Sequence, residues 1–581
     1  MNAERLLELY ERIADAPEAI ARLRRFILDL AVRGKLVPQT KKDEPASELL
    51  KRIAKEKARS AKATRGRQSE GRGRTEPFEF SLPVGWALST LGDIALKITD
   101  GTHQTPNYVG SGVPFLSVKD FSGGKLSLSN TRFITEEEHN QLYTRCDPKR
   151  GDILIGRIGT LGRAVLVDTD QAFSLFVSVG LIRFSHKELV PEYFRMLLNS
   201  PLVEGEFDRI KIGGGTHTNK LNLGDLQTVA LPLPPLAEQH RIVSKVDELM
   251  ALCNRLEAAR AEREATRDRL AAASLARLNA PDPDTSVFAD HARFALDNLT
   301  ALATRPDQIK QIRQTILNLA VRGKLVPQDE KDQPASELLK QIAKQKALST
   351  KPKGMGVEAE MLAGNGFDAA FELPDGWRWV RLDQITEIGT GLTPSKAQTA
   401  YYDGGTIPWI NSSATSNDVI DKAKFYVTPL AVQACRLKIY PAGSLIVALY
   451  GQGKTRGQVA ELGIDAAVNQ ACAVVQWLSA FDGLKGFVRL SLDQQYEAMR
   501  ERAEGGAQPN LNVGKIKERN FPLPPLAEQH RIVKKVDALM ALCDQLEASL
   551  TATENTRRRL LQALLAEALA PAAAREMEAA Q

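Results

Sequence analysis

Two phrases recur in this sequence at an offset of about 290 residues, half of its 581. LPPLAEQHRIV stands at Leu233–Val243 and again, letter for letter, at Leu523–Val533. LAVRGKLVPQ stands at Leu30–Gln39 and again at Leu319–Gln328. A period this long is far beyond that of a solenoid unit, so it marks a duplicated half. The chain must therefore fold as two copies of one plan, with internal two-fold pseudo-symmetry. The natural partner for such symmetry has a two-fold axis of its own, and duplex DNA is the commonest.

The repeat extends beyond the identical stretches. Ile20, Leu23, Ile27 and Leu30 recur at helical spacing, as do Ile309, Ile312, Ile316 and Leu319. EPASELLKRIAKEKA at Glu44–Ala58 is answered by QPASELLKQIAKQKA at Gln333–Ala347. Ser47 and Ser336 are expected to cap a short amphipathic helix. A polar linker follows in each half; the first, Ser60–Thr75, reads as a solvated tether or as a clamp on a DNA backbone. FSLPVGW at Phe80–Trp86 then mirrors FELPDGW at Phe371–Trp377. From there the copies diverge, with strand-like runs such as Asp152–Ile155 and Ser444–Leu449 broken by Gly, Asn and Asp. They converge again at LNLG (Leu221–Gly224) and LNVG (Leu511–Gly514).

A long helix begins at each proline-rich exit, since proline is tolerated in a first turn. Ile242, Val246, Leu249, Cys253 and Leu256 step by four and three, and Ile532, Val536, Leu539, Cys543 and Leu546 repeat the seam. Cys253 and Cys543 are expected as small buried seam residues. A helix over Ala237–Leu275 would be roughly 55–60 Å long. One helical block sits between the divergent modules; the other is split between the chain ends, and its apolar faces predict that the ends meet.

Composition sets bounds. The apolar fraction is 43% and the charged fraction 25%, ordinary for a globular protein of several domains. A net charge of +6 permits nucleic-acid binding without requiring it. No apolar run is long enough to span a membrane, and the first residues do not read as a secretory signal. The five cysteines form no CxxC pair, as expected in a reducing cytoplasm.

No tetrapeptide for adenine methyl transfer, no methyl-donor signature, no nuclease motif, no HExxH and no metal-spaced His cluster stands out. GQGKT at Gly451–Thr455 ends like a phosphate-binding loop, but Ala448 occupies the place of its first glycine. The residues that follow read as a strand rather than a phosphate-holding helix. The corresponding place in the first half, Arg157–Val165, is also a Gly-rich turn.

Taken together, PLPPLAEQ before a heptad helix (Pro232–Gln239 and Pro522–Gln529) and GKLVPQ before PASELL, each present twice, resemble the specificity subunit of Type I restriction-modification systems. Asp100–Asp120 (DGTHQTPNYVGSGVPFLSVKD) resembles one class of target recognition domain; Gly389–Ser395 with Tyr401–Ile410 resembles another. The resemblance covers nearly the whole chain. It implies an α+β protein: two β-rich target recognition domains separated by long antiparallel coiled-coil spacers. The expected segments are a helical region over 1–60, a recognition domain over 77–236, a central spacer over 237–350, a second recognition domain over 371–526 and a last helix over 527–581. It also implies a subunit without catalysis of its own. Each recognition domain would read one half of a bipartite, asymmetric site in double-stranded DNA. Two modification subunits, carrying the methyl donor, and ATP-dependent restriction subunits would dock on the helices. No cofactor is expected on this chain.

Sequence readout uses Arg or Lys to guanine, Asn or Gln to adenine, and small polar groups near phosphates. The candidates in the first module are Thr102, His103, Lys119, Arg157, Arg163, Lys211, Thr216 and Lys220, with Gly213–Gly215 allowing close backbone approach. In the second they are Ser412, Asn417, Gln452, Lys454, Arg456, Gln508, Asn510 and Lys515. Asn222 and Asn512 recur at one phase and are expected to cap structure. The same architecture also fits an interaction scaffold whose β modules bind protein; salt-sensitive, sequence-dependent duplex binding separates the two. A nucleotide-driven enzyme built on Gly451–Thr455 is the third reading, removed by a lack of ATP binding.

Overall fold

The computed structural model describes residues 16, 18–61, 78, 80–213, 219–279, 285–349, 371–451, 455–477, 481, 483–496 and 511–569. The chain divides into two compact units. One comprises Met1–Arg263 with Glu554–Gln581, the other Glu264–Thr553.

In the first unit, the helix Ala19–Val32 buries Ile20, Leu23 and Ile27. That face shares a core with Ile242, Val246 and Cys253 and with Leu561, Leu564 and Leu565 near the end of the chain. The expectation that the two chain ends meet is therefore borne out. At the edge of this packing the Arg24 guanidinium donates to Asn254 and Glu257, both at 2.7 Å. The second unit repeats the arrangement: Ile309, Ile312 and Ile316 pack with Ile532, Val536 and Cys543. There Arg313 donates to Asp544 at 2.6 Å and Glu547 at 3.2 Å. The long helices run over Leu236–Asn279 and Leu526–Leu569, 44 residues each. In both seams the Ile, Val and Cys positions are buried, while Leu249, Leu256, Leu539 and Leu546 are partly covered. Burial pushes both seam thiols up, as expected of cysteines with a packing role.

Ser47 and Ser336 do not cap. The helices Ala46–Ala61 and Ala335–Ser349 begin one residue earlier, so the serines lie inside the first turn. The first backbone N–H is satisfied from outside: Ala46 donates to the Gly85 carbonyl and Ala335 to that of Gly376, both at 2.9 Å. The LPxGW phrase does the work expected of the serine.

Each divergent module is an excursion closed by a two-stranded ribbon. Ala87–Thr90 pairs antiparallel with Ala230–Leu233, and Arg378–Arg381 with Asn520–Leu523. The module between the first pair, head one, has a four-stranded antiparallel sheet in the order Ala95–Asp100, Val179–Phe184, Ile153–Gly156, Ala164–Leu166. A second sheet sets Val113–Leu116 between antiparallel Arg132–Ile134 and parallel Ser174–Leu175. Head two has the same plan. Its first sheet runs Glu387–Thr390, Cys472–Gln476, Leu445–Ala448, Val459–Leu462, then an added Val419–Ile420. Its second sets Ile407–Ile410 between antiparallel Phe425–Val427 and parallel Ala466–Val468, with Ile439–Tyr440 added beyond. The strand runs foreseen near Asp152–Ile155 and Ser444–Leu449 are central strands, Ile153–Gly156 and Leu445–Ala448, buried along their whole length.

Candidate nucleic-acid interface

The copied phrases converge on one polar knot in each half. Glu238, 1% exposed, accepts the Trp86 indole N–H at 3.0 Å and the Gln39 amide at 3.0 Å. Glu528, also 1% exposed, accepts Trp377 at 2.9 Å and Gln328 at 2.7 Å. Arg241 donates to Asp43, and Arg531 to Asp332, at 2.6 Å. Burial raises the pKa of both glutamates, opposed by the hydrogen bonds from Trp and Gln. The glycine of GKLVPQ is required at this point. Gly34 (φ +67°) and Gly323 (φ +68°) lie against the proline of the next phrase, and a Cβ would sit 2.3 Å from Pro83 Cγ or 2.5 Å from Pro374 Cγ. These bonds all run between residues of one half, so each knot holds the base of its own head.

In head one, Thr102, His103 and Arg157 gather around Asp100, which is buried. Arg145 and Arg157 both pair with its carboxylate, and His103 Nε2 lies 3.0 Å from it. Arg157 also donates from Nε to the Leu221 carbonyl at 3.0 Å and has 8% of its side chain exposed. Its guanidinium is turned inward, tying the Gly-rich turn to the LNLG phrase. That turn, with Gly159 and Gly162 at positive φ, joins two antiparallel strands as expected. Arg163 is exposed beside it and donates to the Ser122 carbonyl. Lys211 is paired with Asp208 at 2.7 Å, and exposed Lys220 is bridged to both Ile158 and Ile212. Thr216 lies outside the described residues. Lys119 stands apart, on the wall of an open cleft of about 670 Å³.

In head two, Ser412 and Asn417 bound the 3-10 turn Ser412–Ser416 and its exit. A hydrogen bond from Thr415 to Gln458 (3.4 Å) links this turn to the one holding half-buried Arg456. Lys515 is exposed on the helix Val513–Lys517, which Asn512 caps by accepting its N–H at 2.8 Å. Asn222 occupies the same N-cap position, but its side chain donates to Asp225. Gln452, Lys454, Gln508 and Asn510 lie outside the described residues. After Thr455 the chain enters the strand Val459–Leu462, antiparallel to Leu445–Ala448, so no helix N-terminus follows to hold phosphate. Among the described residues no group of three or more His, Cys, Asp or Glu is placed to hold a metal ion, and no helix is long and apolar enough to cross a membrane.

Sequence reading passed over Tyr108, Lys125, Asn130 and Arg132, which line the same cleft as Lys119. The signal that finds them is faint: TRFIT (Thr131–Thr135) in head one and KFYVT (Lys424–Thr428) in head two are the same strand and cap.

Residues 83–264 and 374–553 match the Type I restriction modification DNA specificity domain, once per half. The Type I restriction enzyme EcoAI specificity subunit of Escherichia coli is 28% identical over 575 residues, covering 94% of this chain and 93% of its own length. The EcoEI specificity subunit of the same organism is 28% identical over 592 residues, covering 95% and 94%. The HsdS subunit from Thermoanaerobacter tengcongensis, a solved structure, has 20% identity and a TM-score of 0.42 over 84% of this chain and 98% of its own. Two matched domains on a duplicated scaffold place this chain in the family of Type I restriction-modification specificity subunits.

Proposed function

We propose that this chain binds double-stranded DNA and selects a bipartite, asymmetric site, each head reading one half. The observation that carries this is internal to the molecule: two copies of one knot and one helical plan support two heads of the same strand order with different surface residues. Two copies reading one sequence would gain nothing from different surfaces; two copies reading unlike half-sites require them. The helical parts dock two modification subunits, which bring the methyl donor, and restriction subunits, which bring ATP-dependent cleavage. The chain itself binds neither cofactor, carries no catalytic residue and works in the cytoplasm.

Methylation mapping tests this. The chain is co-expressed with its modification subunit in a host lacking DNA methylation, and modified bases are read across the genome. The expected result is a single two-part motif with methylated adenine in both parts and a fixed gap. If no new motif arises while the modification subunit is active beside another specificity chain, the heads bind something other than DNA and the scaffold reading replaces this one.

A further inference from the structure

The cleft on head one has the chemistry of a nucleic-acid contact, and head two supplies an internal control for it. Its walls include Tyr108, Lys119, Lys125, Asn130 and Arg132. Lys119, Lys125 and Arg132 are exposed, and none has a carboxylate partner among the described residues. Asp120, also on the wall, is occupied in capping its own turn, accepting from the Ser117 N–H at 2.7 Å and hydroxyl at 3.1 Å. The cleft is therefore cationic and its cations are uncommitted to acids. Arg132 lies over the Tyr108 ring, its guanidinium carbon 4.4 Å from the centroid, and Tyr108 is braced edge-on by Phe115 at 6.0 Å. An arginine held over an aromatic ring loses less freedom on binding, and its N–H donors remain free of any carboxylate among the described residues.

The strand registers make Arg132 comparable with one residue of head two. Phe115 stands opposite Arg132, and Trp409 opposite Phe425, each one place after a proline, Pro114 or Pro408. At the position of Arg132, head two therefore carries Phe425, 41% exposed and edge-on to Trp409 at 6.2 Å. A fork of donors in one head is replaced by a ring with no hydrogen-bonding group in the other. Only apolar contact, such as that with a thymine methyl, is open to the phenylalanine.

We propose that this cleft is the base-reading surface of head one, with Arg132 a specificity-determining residue that donates to an acceptor pair such as guanine O6 and N7, and with Lys119 and Lys125 on the flanking phosphates. The inference rests on the proposed DNA-reading role and assigns it to residues. It is tested in the full chain with its modification subunit, by mapping methylation for Arg132→Ala, Arg132→Lys and Lys125→Ala. Arg132→Ala relaxes one base position in one half of the motif, by roughly tenfold or more, and leaves the gap and the other half unchanged. Arg132→Lys keeps the charge, loses the fork and relaxes the same position. Lys125→Ala lowers methylation at all sites without changing the motif. If the wild type methylates a two-part motif and both Arg132 variants keep every base of it, the cleft is not the reader and the broader function stands. If both variants abolish all methylation and lower the melting temperature, Arg132 is structural and the proposal falls. If the wild type gives no motif, the DNA-reading role itself falls, and this inference with it.

Discussion

The two knots and the two heads preserve different things. In the knots the residues themselves are copied: Glu238 and Glu528 each take one indole and one amide, with no bond differing by more than 0.3 Å from its counterpart. In the heads the strand order is copied and the side chains are not: Arg132 faces Phe425 across the comparison, and Asp100 with its two arginines has Thr390 in its place. A buried polar junction is all or nothing, because one missing partner strands the rest, so its residues change together or not at all. A sheet needs only apolar faces and turns from its sequence, so its outer positions are free to diverge.

That comparison can be broken most sharply at Arg157. Arg157→Ala leaves the buried Asp100 carboxylate short of a partner, and head one should lose about 3 kcal/mol of stability. Arg456→Ala, in the corresponding turn of head two, should cost less, since Arg456 has no ion-pair partner among the described residues. Urea unfolding followed by hydrogen exchange resolves the two heads; equal losses would mean that the Asp100 cluster is not peculiar to head one. The knots should behave oppositely, with Glu238→Ala and Glu528→Ala each costing about 2 kcal/mol in their own half, because an indole N–H and an amide lose their acceptor. The raised pKa of these two carboxylates also fixes a sign. The folded form holds these two protons more tightly than the unfolded chain, so the contribution of this pair is fully present below the ordinary carboxylate range and is lost as pH rises through the folded value. Replacing both glutamates by glutamine should flatten that part of the profile; an unchanged slope would assign it to other groups. The smallest effect belongs to Arg24→Ala and Arg313→Ala, which break exposed or half-exposed pairs with Glu257 and Asp544 and should each cost under about 1 kcal/mol. A larger loss in one half alone would show that the helical scaffold is less symmetric than its letters.

Much of this was legible in the sequence, for a physical reason. Helical seams are written locally, so Ile242, Val246 and Cys253 announce their burial through spacing alone. The repeats likewise announced a duplicated plan. What they could not announce is that Gln39, Trp86 and Glu238 meet, because a hydrogen bond between distant residues leaves no trace in spacing. The same limit explains Arg157. An arginine in a Gly-rich turn reads as a surface donor until Asp100, 57 residues earlier, is seen beneath it. The shared topology of the heads was hidden by their divergence and became visible only through strand register. Ser47 looked like a cap because the residue that supplies the bond, Gly85, lies on the far side of a linker.

The ribbons at the neck of each head carry one more consequence. Ala87 pairs with Leu233 and Arg378 with Leu523, so chain enters and leaves each head at adjacent points, in the same register in both halves. Each head is thus a plug, and the knot beneath it is a standard socket. A foreign segment must begin and end with the right strand and must also bring the face that meets the scaffold, as Val190 meets Gln239 and Glu188 meets Arg52 in head one. The duplication supplies a second use of the same socket, and there head two rests on its own helix through Gln494, which donates to Asn318 at 2.9 Å.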